Sequence, residues 1–402
     1  MAVGFEWQCS WHIFNSAPNQ PQKYFPKNTV LTRGIGWKLV TDGADPEFVT
    51  DPVPLNLKTE TGVGMDGESS LQARMASIKH FCADLDSMKG KASIVRTDKP
   101  QLFLNFPKPF VILPNPPNNT LTAFVQVSGG IRLTKLRKFF KAIGTADSPG
   151  AKDFLGTYHS AYSGTLRKVH LPKAGYQDTA WATHAPSAKM RSLVELIALY
   201  IHQFAKKGST GKAKVAKYMT FIMSRTNFGR LFQEMENAER QHYANSPNQW
   251  VRYICTDIMK QIGGFDPVQG ANADDKLIEY PINDMDNLPD HKMVTIPVTK
   301  KEWLVAMTKG KDLLTAAAHP TGAGHPINKG TYKDAFGNHR LRGLGGLGTA
   351  MDTLAMTTLA DNQGAIFEFR GQQGNLNYTE WEPYTVRVYR FLQTVNFGQQ
   401  NQ

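Results

Sequence analysis

The stretch GAIFEFRG, residues 364–371, alternates apolar and charged side chains, with Phe367 and Phe369 on one side and Glu368 and Arg370 on the other. Side chains on a strand point to opposite faces with a period of two. The pattern therefore predicts a strand that packs two rings inward and lines a surface with a carboxylate and a guanidinium. The N-terminus repeats the arrangement: in MAVGFEWQ, residues 1–8, Phe5 and Trp7 share one face while Glu6 and Gln8 share the other. A third segment, GWKLVTDGADPEFVTDP at residues 36–52, carries a hairpin signal in Asp42-Gly43 and then sets Glu47 and Val49 against Phe48 and Thr50. Three carboxylates remote in sequence, Glu6, Glu47 and Glu368, are thus expected on one sheet. A salt bridge between Glu368 and Arg370 would also explain that charged face, and at an exposed position it is worth only about 0–1 kcal/mol.

Outward from these strands, Ser70 to Met88 reads as an amphipathic helix through Leu71, Met75, Ile78, Phe81 and Leu85. Strands are expected around Ile94 and Leu102. The Pro-rich PKPFVILPNPPNN, residues 107–119, reads as a surface loop or extended edge, because proline cannot donate to a ladder. LTAFVQVSGG, residues 121–130, reads as a strand ending in glycines, and Leu133 to Ala142 as a basic helix with Leu133, Leu136 and Phe140 on its apolar stripe. Lys135, Arg137, Lys138 and Lys141 surround that stripe, the pattern of a solvated charged face. A helix entered at Pro186 runs to about Lys207 through Met190, Leu193, Val194, Ile197, Tyr200 and Ile201. A helix-like segment carrying SRTNF, Ser224 to Phe228, follows, and KKEWLVAMTKGKDLLTAAAHP, residues 300–320, resumes a helical pattern. No internal repeat or long linker divides the chain. It reads as a single domain over residues 1–395 with a helical insertion at about 186–262 and a flexible tail at 396–402.

Hydrophobic residues at 41% and charged residues at 20% are ordinary for a folded protein. A net charge of +12 and a pI near 9.4 favour polyanionic partners without choosing among them. Three cysteines with no CxxC pair exclude a disulfide framework and a thiolate zinc site, and fit a reducing, cytoplasmic setting. The first residues lack the charged and apolar regions of a Sec signal peptide, which leaves export by another route open. The longest apolar stretch, Leu193 to Ile201, is interrupted by Glu195 and too short to span a bilayer, so no integral membrane segment is expected.

Several motifs fail on inspection. GSTGKA, residues 208–213, lacks the phosphate-loop spacing, since Ala213 follows Lys212. Gly343 to Gly348 satisfies GxGxxG but does not open an early strand-turn-helix unit, and a tight turn explains it. The eleven histidines include no HExxH; His319 and His325, both before proline, read as loop residues. No GxSxG context supports a serine nucleophile.

Taken in order, GFEWQ, WKLVTDGADPEFVTDP, the FVQVSGG strand and IFEFRG resemble the amidoligases, in the carboxylate-amine ligase branch of the glutamine synthetase-like superfamily. The resemblance extends from about Phe5 to Gly371, and the SAKMRSLVELIALYI helix ahead of SRTNF fits that layout. It implies an α+β fold in which a curved, mainly antiparallel sheet forms a cup backed by helices. It also implies an ATP- and magnesium-dependent ligase that joins a carboxylate to an amine through an acyl phosphate. The substrates would be small molecules or peptides. Glu6, Glu47 and Glu368 carry over as magnesium ligands and Arg370 as the phosphate-binding arginine. Gln126 and Arg225 would contact the bound nucleotide, with Arg225 open to a substrate carboxylate instead, and Asp42 would support the second strand's turn or the amine site. Gln8 stands where relatives often carry a second glutamate, and Gln126 where many show a histidine pair. The alternative is a non-catalytic interaction protein or secreted effector on the same fold, whose basic helix meets an anionic partner. A sequence-independent nucleic-acid binder fits less well, because the lysines are not interleaved with aromatics.

Overall fold

The computed structural model describes residues 1–15, 23–26, 28–55, 67–87, 94–95, 110–113, 120–146, 148–155, 186–204, 222–224, 226, 228–259, 276–281, 293–311, 364–369 and 375–398. Along the chain the strands are β1 (Ala2–Cys9), β2 (His12–Phe14), β3 (Val30–Gly34), β4 (Trp37–Asp42), β5 (Asp45–Thr50), β6 (Val53–Pro54), β7 (Ile94–Val95), β8 (Phe110–Leu113), β9 (Thr122–Arg132), β10 (Ile222–Ser224), β11 (Lys276–Pro281), β12 (Met293–Thr299), β13 (Gly364–Phe369) and β14 (Leu376–Asn377). The helices are α1 (Gly67–Ser87), α2 (Leu136–Thr145), α3 (Pro149–Leu155), α4 (Ala188–Phe204), α5 (Phe228–Gln233), α6 (Asn237–Asn245), α7 (Pro247–Arg252), α8 (Lys300–Thr308) and α9 (Trp381–Phe397). The fold is mixed α+β with an antiparallel, unclosed sheet. Two compact units are distinguishable: Met1–Gly129 with Ser148–Tyr158 and Gly371–Gln402, and Gly130–Asp147 with His159–Arg370. Among the described residues no helix is long and apolar enough to cross a membrane.

In the first unit the strand order is β9-β1-β5-β4-β3, with β6 added to β1 and β14 to β9. The register sets Trp7 beside Phe48 on one flank and Val125 on the other, so that alternate positions form one apolar layer. Val3, Phe5, Trp7, Leu39, Phe48, Val125 and Val127 are all buried there. Trp7 stacks on Trp381 of α9 with ring centroids 4.7 Å apart, and Phe81 of α1 meets Trp37 at 5.5 Å and Phe48 at 5.8 Å. Helix α1 buries Leu71, Met75, Ile78, Phe81 and Leu85, the stripe read from the sequence. Each large apolar side chain removed from water contributes about 1.5–3 kcal/mol, which makes this layer the first unit's main source of stability. Gly43 has φ +69° and Ala44 does not share it, the pattern of a type II′ hairpin turn between β4 and β5.

In the second unit α4 buries all six predicted apolar positions, and Tyr200 packs edge-on against Phe228, which in turn meets Trp303 of α8. Helix α4 also buries Glu195 completely, and Arg137 of α2 reaches its Oε1 at 3.1 Å. One of the four cations around the basic helix is therefore committed to an internal carboxylate, while Lys138 and Lys141 stay exposed. Glu239 caps α4 indirectly, accepting from both the backbone N–H and the hydroxyl of Ser187, while Ser187 Oγ accepts from the Met190 N–H. Thr299 and Glu302 form a capping box on α8.

Four expectations are corrected. Phe110–Leu113 is the middle strand of a three-stranded sheet, β2-β8-β7, not a loop or edge; its prolines fall just outside, at 109 and 114, so every ladder N–H survives. Strand β9 does not end at its glycines but continues to Arg132, since Gly129 still pairs with Val3. Ser224 ends a strand paired with β13, and only from Phe228 does the chain turn helical; cross-strand pairing overrides the local helical pattern. Finally, Glu368 lines no surface: from Ala365 to Phe369 every residue of β13 is buried, with Phe139 of α2 against Phe369.

Candidate functional site

The face of the first unit's sheet opposite the aromatic layer is polar, and β1 and β5 build its centre. Glu6, half-buried, lies between Val49 on β5 and Gln126 on β9. Gln8 lies between Glu47 and Phe124. Glu6 and Glu47 are therefore diagonal neighbours on one face, a relation that separates backbones by about 7–8 Å and lets their carboxylates approach one another. Glu47 is buried to 8% exposure and Phe124 is half exposed. Asp42 pairs directly with Asp45 where the hairpin turns, which adds two more carboxylates to the end of this face.

Asp45 is held on both oxygens. Gln8 Nε2 donates to Oδ2 at 2.9 Å, and His12 Nδ1 meets Oδ1 at 3.0 Å. His12 and Asp45 are 37% and 30% exposed, enough for solvent or a small molecule to reach them. On the neighbouring apolar side, burial pushes the Cys9 thiol far above its usual range, and the charges of Glu47 and Asp45 add to the effect. Cys9 is thus a neutral packing residue and not a nucleophile.

Of the residues singled out in the sequence, Glu6, Glu47, Asp42 and Gln126 come together on this face. Glu368 sits in the second unit on β13, opposite Met223 and without exposure, where it is not without a partner. Arg370 and Arg225 lie outside the described residues. Among the described residues no group of three or more His, Cys, Asp or Glu side chains is placed to hold a metal ion. Glu6 and Glu47 remain a two-carboxylate set with the Gln126 amide beside it. That set suits magnesium, which takes one or two protein carboxylates and completes its shell with water and phosphate oxygens. His12 and Asp45 were not singled out by sequence, because residues 33 positions apart carry no spacing signal; the pairing of β1 with β5 and the bond from the Ile13 N–H to the Ala44 carbonyl bring the two segments together. No protein-family model, curated protein or solved structure matches this chain.

Proposed function

We propose that this protein is an ATP- and magnesium-dependent ligase joining a carboxylate to an amine, with the polar face of the first unit's sheet as its centre. The observation that carries the reading is the diagonal placement of Glu6 and Glu47 on one face, flanked by Gln126. Hard oxygen donors on neighbouring strands would suit a divalent cation, which would supply positive charge beside nucleotide phosphates. A sheet curved into a cup around these groups, with helices behind it, belongs to the same proposal.

Bound magnesium would neutralise phosphate charge during transfer to the substrate carboxylate. Glu6 and Glu47 would hold and orient that cation, and Gln126 would offer a neutral donor or acceptor to the nucleotide. Asp42 and Asp45 concentrate negative charge at the hairpin end, which favours a cationic amine over a second carboxylate there. The internal pairing of Arg137 with Glu195 weakens the alternative of an anion-binding basic helix, since it removes one cation from that surface.

Isothermal titration with ATP and magnesium tests the reading. Binding is expected for the wild type, and Glu47→Gln and Glu6→Gln should each weaken the magnesium dependence of binding by about tenfold or more, which corresponds to roughly 1.4 kcal/mol. A wild-type protein that binds no nucleotide at millimolar concentration excludes the ligase.

A further inference from the structure

We infer that His12 is the base that deprotonates the amine, oriented for that task by Asp45; this rests on the ligase reading and deepens it. The 3.0 Å contact pairs His12 Nδ1 with Asp45 Oδ1, so a proton shared between the two would sit on Nδ1 and point at the carboxylate. Nε2 is then the ring nitrogen turned away from Asp45, on a side chain that is 37% exposed. Asp45 is itself fixed, because Gln8 Nε2 holds its other oxygen at 2.9 Å. A carboxylate behind Nδ1 sets the tautomer and stabilises the imidazolium that forms when Nε2 takes a proton. Gln8 also stands directly opposite Glu47, so the imidazole's support and the proposed metal ligand share one strand register.

An amine reaches neutral solution protonated and cannot attack. His12 Nε2 removes one proton from the ammonium nitrogen and frees its lone pair. That nitrogen bonds to the acyl carbon while the bond from carbon to the phosphate oxygen breaks, and phosphate leaves with the electron pair. The nitrogen's surplus proton passes to the departing phosphate, and His12 returns its proton to water. Charges and atoms balance without any further reactant.

The test is a pair of acceptors that differ in their need for a base. With the full chain, ATP, magnesium and a panel of acetate, L-aspartate, L-glutamate and citrate, product formation is compared between ammonium and hydroxylamine. Hydroxylamine is already unprotonated at neutral pH. His12→Gln should lose about 10²–10⁴-fold in rate with ammonium and little with hydroxylamine. The ammonium reaction of the variant should also recover as pH rises and the acceptor deprotonates unaided. Equal loss with both acceptors indicates a structural role and overturns the inference, as does no loss with either. A wild type that forms neither product overturns the ligase reading and this inference together, a result distinct from an active wild type with an indifferent variant. His12→Gly with added imidazole gives a second readout: rescue of the ammonium reaction alone supports the base, and rescue of neither reaction opposes it.

Discussion

The side-chain amide of Gln8 donates to Asp45 Oδ2 across 2.9 Å, while Glu47 stands directly opposite Gln8 on the adjacent strand. An amide fits between two carboxylates because it brings two donors and no charge. A glutamate at this position would set a third negative group beside Asp45 and Glu47 and would have no hydrogen to give.

Gln8→Glu is accordingly expected to destabilise the fold by about 1–3 kcal/mol near neutral pH, the cost of exchanging a hydrogen bond for an unsatisfied, like-charged contact. The deficit should shrink on acidification through the ordinary carboxylate range, where a shared proton restores the bond. Urea titrations of both proteins across pH check this; equal midpoints near neutrality would show that the contact contributes nothing.

The central strands and α1 of the first unit were legible in the sequence because alternation marks faces wherever one side is wet, whereas α3 and α9 were not singled out from it. Phe5, Trp7, Phe48 and the α1 stripe announced themselves in that way. Glu368 misled for the same physical reason. A strand buried on both faces gives no contrast, so a charged residue within it imitates a surface position. Glu195 was read as an interruption of an apolar run, although its partner Arg137, 58 positions earlier, lets it be buried. Neither that pair nor His12 with Asp45 has a local signature, since each depends on which elements the chain brings side by side.

Asp153 on α3 shows burial outweighing an ion pair. Arg387 Nε donates to its Oδ2 at 2.9 Å, yet the loss of hydration dominates and holds the carboxyl above its ordinary value of 3.8. Folded Asp153 therefore keeps its proton more tightly than unfolded Asp153. Its contribution to stability is full below the ordinary value and is lost as pH rises through the raised one. Asp153→Asn removes this titration, so the stability of wild type minus variant should fall with rising pH across that window. Chemical denaturation at closely spaced pH values measures the difference, and a flat line would refute the assignment.

All three cysteines are buried and free. Burial raises the thiols of Cys9 and Cys82 well above their usual range, so the reactive thiolate is scarce as well as inaccessible. A thiol reagent such as dithionitrobenzoate at mildly alkaline pH should titrate none of them rapidly in the native protein and all three in denaturant. Stoichiometric reaction of the native chain within seconds would contradict this packing.

Trp381 opens α9 and joins three structural features at once. Its ring stacks on Trp7 of β1 at 4.7 Å, meets Phe48 of β5 edge-on at 5.8 Å, and donates from Nε1 to the Leu376 carbonyl of β14 at 2.9 Å. The side chain is 1% exposed, so truncation leaves a cavity that neighbouring strands cannot collapse to fill. Trp381→Ala is expected to cost about 3–5 kcal/mol, a large share of the stability of a domain of this size. Trp381→Phe keeps most of the apolar contact and removes the Nε1 bond, so its smaller loss should be nearer about 1–2 kcal/mol. A double-mutant cycle with Trp7→Leu isolates the stack, for which a coupling of about 0.5–1.5 kcal/mol is expected. If the two substitutions simply add, the rings are neighbours without a specific interaction, and the attachment of α9 to the sheet rests on burial alone.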